Sequence, residues 1–300
     1  GGTLSDTALL KFCGATRLLA VVQHFDWTAV LTLGIDIGTF ESKGVLVDAS
    51  GRIVAQAARA HEMIVPRAGW AEHRAEEDWW GDFVFITRAL LSQSGVDPQD
   101  IKCVAASAIG PCMLPLDAAG QPLMNGVLYG VDTRAADEID LLNAEIGVET
   151  ILQRCGNALT SQAVGPKILW LRRQRPEVWA KTDKIVTSTT YLTWKLTGRF
   201  VIDHYTASTF APLYDIARQD WCLDLADICP ATMLPSLMWS GEIAGAVSAA
   251  AARETGLAMG TPVICGTIDA AAEAVSVGVA EPGDMMMMYG STIFIIEIAQ

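Results

Sequence analysis

Residues 31–60 read LTLGIDIGTFESKGVLVDASGRIVAQAARA and determine which fold the sequence predicts. They contain three strand-like runs, which are LTLGIDI (31–37), KGVLVD (43–48) and RIVAQAARA (52–60). The short turns GTFES and ASG separate these runs. Because consecutive strands joined by a few turn residues usually pair with each other, the stretch predicts an antiparallel meander.

A helix and a further strand follow the meander. Four apolar residues recur at helical spacing and predict a helix from about residue 75 to about residue 92: Trp79, Phe83, Ile86 and Leu90. Residues 101–108 form an apolar run typical of a buried strand. Three antiparallel strands, a helix and another strand are the opening of a ribonuclease H-like α/β layer, the fold of actin-like ATPases. Further helices are predicted over residues 133–174, 177–181 and 189–196.

The chain also contains a weak internal repeat. The stretch MMMMYGSTIFIIEIA (285–299) repeats the order strand, Gly-hydroxyl turn, strand of GIDIGTFESKGVLV (34–47). We therefore expect a complete first domain over residues 31–275 and only the start of a second, its first hairpin, over residues 276–300. Residues 1–30 lack both amphipathic periodicity and a secretory signal pattern, and we interpret them as an N-terminal extension that is disordered or not native.

Composition limits the class of protein. Of the 300 residues, 51% are apolar and 18% are charged, which is typical of a globular protein with a buried core. The formal net charge of −13 argues against a nucleic-acid partner, because a phosphate backbone attracts basic surfaces. No apolar run is long enough to predict a membrane span. The seven cysteines are scattered without a CxxC pair, which predicts a reducing cytoplasmic location rather than disulfides or structural zinc.

The turn after the first strand contains residues suited to phosphate binding: Asp36, Gly38, Thr39 and Lys43. Backbone N–H groups of a Gly-Thr turn can surround a phosphate, and glycine permits its close approach. The carboxylate of Asp36 would face Mg²⁺, because the cation separates it from the like-charged phosphate. An ordinary hairpin turn explains the same residues equally well. Lys43 either lies near the nucleotide or is a solvated strand residue.

A second candidate site is GTIDAAAEA, residues 266–274. Asp269 precedes a run of small residues that begins a helix, so it is either a helix N-cap or a catalytic carboxylate. A second Gly-hydroxyl turn follows later in the sequence, with Gly290, Ser291 and Thr292. Phosphoryl transfer requires phosphate-binding turns, a metal ion and a carboxylate that accepts the hydroxyl proton. The sequence contains residues for each of these parts.

Seven motifs occur in an order that resembles the FGGY carbohydrate kinase family, and within it the xylulokinase-like branch. They are GIDIGT (34–39), GWAEHRAEEDWW (69–80), YGVDTR (129–134), GPKILWLRRQRPEVW (165–179), YLTWKLTGR (191–199), GTIDAAAEAVSVG (266–278) and YGST (289–292). The resemblance begins at Leu31 and runs to the end of the sequence. It implies an actin-like kinase fold, with the sugar in the first domain and ATP in the cleft beneath it.

The resemblance also implies a role for each site residue. Asp269 corresponds to the general base that deprotonates the primary hydroxyl of the acceptor. Two phosphate-binding turns are implied, namely Asp36, Gly38 and Thr39, with Asp36 acting on Mg²⁺ through water, and then Gly290, Ser291 and Thr292. Four residues correspond to the sugar pocket: Asp132, Arg134, Ser161 and Gln162. A local salt bridge that caps the following helix is an alternative explanation for Asp132 and Arg134.

The function implied by the resemblance is transfer of the γ-phosphate of MgATP to a terminal hydroxyl of a ketose or polyol, with a xylulose-like pentulose favoured. The expected partners are a small-molecule sugar or polyol and a nucleotide, with a homodimer as one option for assembly. An alternative is a truncated fragment that binds sugar without catalysis, because the family's adenine pocket lies on the remainder of the second domain. An actin- or chaperone-like ATPase shares the phosphate turns but does not account for Asp132, Arg134 or GPKILW.

One segment departs from the family pattern. Xylulokinases carry a Met-His pair after the central strand, where this sequence has Ile109, Gly110, Pro111 and Cys112. One sugar contact is therefore absent, which leaves the identity of the sugar open. Trp70 lies on a loop and is a candidate for stacking on a sugar, whereas Trp79 and Trp80 are expected to pack in the core. Three histidines have no metal-ligand spacing and predict no zinc site: His61, His73 and His204.

Overall fold

The computed structural model describes residues 30–289 and 293–299, and it begins with the predicted meander. Strand β1 (Leu31–Ile37) pairs antiparallel with β2 (Glu41–Asp48), and β2 pairs antiparallel with β3 (Ile53–Ala60). Side chains of β1 alternate between buried and more exposed positions, because successive residues of a strand point to opposite faces of the sheet. The three strands predicted from residues 31–60 are therefore confirmed.

The remaining strands and the helices follow in chain order. The strands are β4 Glu72–His73, β5 Ile101–Ala108, β6 Leu114–Leu116, β7 Gly126–Val127, β8 Lys184–Val186, β9 Val201–Asp203, β10 Tyr214–Asp215, β11 Asp220–Trp221, β12 Ser236–Met238, β13 Ile243–Ala246, β14 Pro262–Ile264, β15 Thr267–Ile268, β16 Met285–Tyr289 and β17 Ile293–Glu297. The helices are α1 Gly81–Ser94, α2 Ala136–Ile146, α3 Val148–Cys155, α4 Val164–Gln174, α5 Pro176–Trp179, α6 Ser188–Thr197, α7 His204–Ser208, α8 Ala249–Thr255 and α9 Asp269–Ser276. A π-helical turn, Ala75–Trp80, leads directly into α1.

The central sheet has seven strands. Its order is β13-β14-β5-β1-β2-β3, and β15 pairs with β5 beyond the end of β14. Strand β5 runs parallel to β1, with Asp36 opposite Ser107, and parallel to β15, with Thr267 opposite Ser107. Since parallel strands have their carboxyl ends at the same edge, the ends of β1, β5 and β15 lie side by side. The residues that follow these three strands therefore meet at one edge of the sheet.

Helix α1 covers the meander face of the sheet. Trp79, Phe83, Ile86 and Leu90 are all fully buried in one core cluster with the strands, as their helical spacing predicted. The predicted helix from residue 75 is present, although its first six residues form the π-helical turn. A second core cluster surrounds α4, which is buried along eight of its eleven residues.

The region predicted as mainly helical, residues 133–174, contains three helices rather than a continuous one. Helix α2 ends at Gly147, with φ of 90°, and α3 ends at Gly156, with φ of 76°. Positive φ values end a helix, and glycine adopts them without the steric cost that a Cβ atom imposes. The C-terminal hairpin is also present, with β16 paired antiparallel to β17. Among the residues described, no helix has the length and apolar character that a membrane span requires.

The contact between β2 and α1 predicts a difference between two glycines in the sheet. A Cβ atom on Gly44 would lie 2.4 Å from Cγ2 of Ile86, whereas on Gly34 its nearest neighbour would be Cγ2 of Val45 at 3.8 Å. Gly44→Ala should lower the free energy of unfolding by about 1–3 kcal/mol, because α1 must move away from the sheet. Gly34→Ala should change it by less than about 0.5 kcal/mol. Urea denaturation of both variants measures the difference, and equal stabilities would contradict the packing described for β2.

Candidate active site

Two carboxylates lie at the edge where β1, β5 and β15 end. Asp36 is on β1, and its Oδ1 accepts a hydrogen bond of 2.6 Å from Oγ of Ser107 on β5. Asp269 follows β15 directly and is the first residue of α9. The register of β1, β5 and β15 places the two residues at the same edge, and the negative charge of Asp36 helps to raise the pKa of Asp269. The strand register thus brings together two residues that are far apart in the sequence.

Asp269 has the properties of a proton acceptor near neutral pH. Burial raises the pKa of its carboxyl to about 7, and the negative charges of Asp36 and Glu273 act in the same direction. Its Oδ1 accepts a hydrogen bond of 2.8 Å from the N–H of Ala270, which partly offsets the increase. Ile268 rather than Asp269 occupies the N-cap position, and α9 has no side-chain cap. The helix-capping alternative for Asp269 therefore has no support in this geometry.

A cavity of about 740 Å³ opens beside Asp269. Part of its wall is formed by Met288 and Phe294 of the C-terminal hairpin, and another part by Gly110 and Pro111. The polar residues of its wall comprise two carboxylates and eight neutral groups: Asp269, Glu273, Thr39, Tyr129, Asn157, Thr160, Gln162, Tyr205, Ser208 and Thr209. Its volume and this lining of hydroxyl and amide groups are suited to a small ligand rich in hydroxyl groups.

The turn between β1 and β2 is tight and reaches the cavity. The Gly38 N–H donates to the carbonyl oxygen of Glu41 at 3.1 Å, and a Cβ atom on Gly38 would lie 2.7 Å from that same oxygen. Only glycine therefore permits this tight turn. Thr39 reaches the cavity, where its Oγ1 lies 3.4 Å from the hydroxyl of Tyr129. A carboxylate at Asp36 beside N–H groups of a turn is a donor set that suits a metal-bound polyphosphate.

Lys43 and the second phosphate turn were also predicted to contact the nucleotide. Nζ of Lys43 lies 3.4 Å from the carboxylate of Glu41, and 65% of its side chain is exposed. This position agrees with the solvated alternative for Lys43. Gly290, Ser291 and Thr292 lie outside the described residues, so the second phosphate turn stays a prediction. Within the part of the chain that is described, no cluster of three His, Cys, Asp or Glu side chains could hold a metal ion alone.

Asp132 and Arg134 form a buried ion pair. Asp132 accepts hydrogen bonds from Nε and Nη2 of Arg134, at 2.7–3.0 Å, and from the N–H of Ala71 at 2.7 Å. Nη2 of Arg134 also donates to Glu72 at 2.9 Å. Helix α2 has no side-chain cap, so the salt bridge of the alternative explanation is present but its capping role is not. The pair lies away from the large cavity, and Asp132 instead lines a second cavity of about 100 Å³.

The predicted sugar-pocket residues thus divide between the two cavities. Ser161 lines the smaller cavity and donates to the carbonyl oxygen of Gly130 at 2.8 Å. Gln162 lines the larger one, and its Oε1 accepts from the N–H of Gly130 at 3.1 Å. Thr160 and Ala163 border both cavities, which places these two spaces on either side of one segment.

Trp70 packs against charged groups rather than lining a cavity. The guanidinium of Arg67 lies 3.7 Å from its ring centre, and that of Arg134 lies 3.9 Å from it. Its ring also contacts Trp170 edge-on, with 5.3 Å between ring centres. The structure therefore gives Trp70 a packing role around Arg134 and no position from which it could stack on a ligand in either cavity.

The segment that departs from the family pattern forms part of the cavity wall. A Cβ atom on Gly110 would lie 2.3 Å from Cγ2 of Ile268, so this position cannot carry a side chain without moving Ile268. Pro111 lines the cavity beside it, and Cys112 is fully buried. At this place the cavity is bounded by backbone and by the proline ring.

Sequence reasoning missed two charged residues near the site. Lys167 is buried, and its Nζ donates to the carbonyl oxygens of Leu128, Tyr129 and Ser161 at 2.7, 3.1 and 2.7 Å. Burial lowers the pKa of Lys167 to about 8. A lone lysine within the apolar motif GPKILW was the available signal. For Glu273 the signal was its spacing of four residues from Asp269, which places both side chains on one face of α9.

The described site lies within a region that matches a known family. The family described as FGGY family of carbohydrate kinases, N-terminal domain, matches residues 31–276. Xylulose kinase from Escherichia coli (strain K12) is 30% identical over 262 residues, with 87% of this chain and 52% of that protein covered. Ribulokinase from Geobacillus thermodenitrificans (strain NG80-2) is 30% identical over 294 residues, with 87% and 51% covered. The chain therefore spans about half the length of these relatives.

A solved structure is similar in fold to this chain. The crystal structure of xylulose kinase from Rhodospirillum rubrum matches with a TM-score of 0.82 and 31% sequence identity. The match covers 87% of this chain and 53% of that chain. The ribonuclease H-like, actin-like ATPase fold class predicted from the sequence is thereby confirmed.

The proximity of the two carboxylates predicts a coupling between them. Asp36→Asn should lower the pKa of Asp269, because one of the negative charges that oppose its ionisation is removed. Carboxyl ¹³C NMR of Asp269 as a function of pH measures this change. Glu145→Gln, on the exposed surface of α2, is a matched removal of one negative charge and should leave the pKa of Asp269 unchanged. An equal effect of both substitutions would contradict the described arrangement.

Proposed function

The chain belongs to the FGGY family of carbohydrate kinases, and we propose that it forms the acceptor-binding part of an ATP-dependent kinase. The proposed reaction transfers the γ-phosphate of ATP to a terminal hydroxyl of a ketose or polyol. The observation that carries this proposal is the position of Asp269, a carboxyl with a pKa of about 7 that faces a cavity shared with the Gly38–Thr39 turn. A base and a phosphate-binding turn on one cavity wall are what phosphoryl transfer to an alcohol requires.

Asp269 is the proposed general base. A base whose pKa lies near neutral pH is available in its ionised form and still binds a proton strongly enough to draw it from a hydroxyl group. When bound, MgATP supplies the phosphoryl group and the neutralising cation. Gly38 and Thr39 would contact its phosphates, and Asp36 would hold Mg²⁺ through water.

The cavity wall favours a neutral acceptor. Its described residues include two carboxylates and no lysine, arginine or histidine, so an anionic acceptor would meet repulsion without a compensating cation. Hydroxyl and amide groups are matched to the hydroxyl groups of a sugar, and leaving such buried groups unpaired penalises the wrong acceptor. The relatives are named for xylulose and ribulose, which are neutral ketoses. We therefore propose a pentulose as the favoured acceptor.

The proposed division of the chain places the acceptor site in residues 31–275, with a nucleotide-binding domain starting at residue 276. The short span relative to the relatives supports a second candidate function, a fragment that binds the acceptor without catalysis. In this second case the chain would bind sugar but not an ATP analogue. Calorimetry of the chain with a non-hydrolysable ATP analogue separates the two candidates, since micromolar affinity would contradict the second.

Replacing the proposed base should abolish turnover. In the protein that carries this chain with a complete second domain, Asp269→Asn should lower kcat by about 10²–10⁴-fold, because the amide cannot accept the proton. Sugar affinity, measured by calorimetry, should remain close to that of the wild type. In the wild type, kcat/KM should fall as the pH decreases below about 7, since Asp269 becomes protonated. An Asp269→Asn variant with wild-type turnover would remove Asp269 from the proposed mechanism.

The two carboxylates of the cavity wall also predict which acceptors react. A coupled assay for ADP, run on the same longer protein, should show turnover with pentuloses, hexuloses or polyols. It should show little turnover with the corresponding aldonic acids, whose carboxylate would face Asp269 and Glu273. Aldonic acids provide the matched control, because they have nearly the same size and number of hydroxyl groups. Preferred turnover of an aldonic acid would contradict the neutral-acceptor proposal.

A further inference from the structure

Two histidines outside the cavity hold the backbone of the Gly38–Thr39 turn from behind. We infer that His61 and His73 are positioning residues, whose ring N–H groups fix two successive carbonyl groups of the turn so that its amide N–H groups face the phosphate. The inference rests on the proposed function and extends it to residues that touch neither nucleotide nor acceptor. It follows from the contacts of each ring, which determine which nitrogen donates.

His61 connects the turn to a buried carboxylate. Its Nε2 lies 3.1 Å from the carbonyl oxygen of Gly38, and its Nδ1 lies 2.8 Å from Oδ2 of Asp82. Both partners are acceptors, so both ring nitrogens donate, and the ring is the imidazolium form. Asp82 also accepts from Oγ of Ser42 at 2.7 Å and lies 3.2 Å from Nε of Arg59. Burial by itself lowers the pKa of His61, but Asp82 outweighs this effect and the pKa is raised.

His73, unlike His61, is held in the neutral form. Nε1 of Trp79 donates to its Nδ1 at 3.2 Å, and an indole N–H is a donor only. Nδ1 of His73 is therefore an acceptor, and its Nε2 carries the hydrogen that is donated to the carbonyl oxygen of Thr39 at 3.1 Å. Burial lowers the pKa of His73 to about 4, and the neighbouring His61 adds to this effect. The two rings meet edge-on with 4.9 Å between their centres.

Anchoring the two carbonyl groups determines where the next two amide groups point. In a trans peptide the C=O and the following N–H point in opposite directions. The Gly38 carbonyl shares its peptide unit with the Thr39 N–H, and the Thr39 carbonyl shares its unit with the Phe40 N–H. When both carbonyl oxygens are held toward the histidines, both N–H groups are directed away from them. Within residues 30–289 and 293–299, neither of these N–H groups donates to a backbone acceptor.

The two histidines therefore restrict the backbone conformation of the turn, as a more rigid loop sequence would. Gly38 leaves the backbone flexible, and an unanchored turn would lose conformational freedom each time it bound a phosphate. Because His73 is neutral, the pair anchors the turn with only one charged ring, and that ring is in direct contact with the carboxylate of Asp82.

The test uses the chain itself with inorganic tripolyphosphate as the probe. With ¹⁵N-labelled threonine and phenylalanine, the amide signals of Thr39 and Phe40 should shift during the titration and report an affinity. At each histidine, a Gln variant keeps an N–H donor of similar reach, whereas a Met variant has none. His61→Met and His73→Met should each weaken the affinity by about tenfold, whereas the Gln variants should weaken it by less than about threefold.

Two controls separate positioning from stability. Thr87→Val removes a buried side-chain hydrogen bond of 2.8 Å to the carbonyl oxygen of Phe83 and should lower thermal stability without changing the affinity. Imidazole ¹⁵N shifts of the wild-type chain need no variant and should show His73 as the Nε2–H tautomer.

Three results would overturn the inference. They are equal affinities of the Met and Gln variants, an Nδ1–H tautomer of His73, or wild-type Thr39 and Phe40 signals that do not respond to tripolyphosphate. Kinase activity of the longer protein is measured separately, so the proposed function can hold when the inference about the histidines does not.

Discussion

The site depends on the parallel pairing of β5 with β1 on one side and with β15 on the other. Ser107 lies at the centre of this arrangement, opposite both Asp36 and Thr267. A shift of either strand by one residue would turn Asp36 or Thr267 to the other face of the sheet, because side chains alternate along a strand. One face of β1 and β5 is buried in the core, so such a shift would also turn their buried apolar residues to the more exposed face, and the hydrophobic core thereby maintains the register that positions the two carboxylates.

Charged residues around this edge fall into two groups with different chemistry. Asp132, Arg134 and Lys167 have buried side chains, and their hydrogen bonds go to backbone groups, to one another or, from Arg134, to Glu72. Removing one partner of such a pair is costly, which suits a structural role. Asp269 instead is half-buried on the wall of a cavity, where its donors are the backbone N–H groups of Ala270 and Gly110 and no described basic side chain forms an ion pair with it. A carboxylate left with unused acceptor capacity next to open space is the one suited to bind and release a proton.

Much of the fold could be predicted from the sequence, because local patterns are sufficient for it. The meander, the helix carrying Phe83 and the strand of residues 101–108 follow from alternation, helical spacing and turn residues. Asp36 and Asp269 could be predicted as site candidates because Asp36 lies at the end of a predicted strand and Asp269 directly precedes a predicted helix. Asn157 and Tyr205 could not, since their neighbours in sequence carry no pattern and only tertiary packing brings them to the cavity. The anchoring by His61 and His73 was missed because their acceptors are backbone carbonyl groups, which leave no signature in the sequence.

The contact between Gly110 and Ile268 has a consequence for how acceptor preference can evolve. Any side chain added at position 110 overlaps with Ile268, and Ile268 directly precedes Asp269. A first substitution at position 110 would therefore shift Ile268 and the backbone that leads into Asp269, whereas the same substitution after Ile268 has become smaller would simply fill space. The effect of a substitution at position 110 thus depends on the residue at position 268. We therefore expect substitutions that narrow the pocket from this wall only after Ile268 has been replaced by a smaller residue.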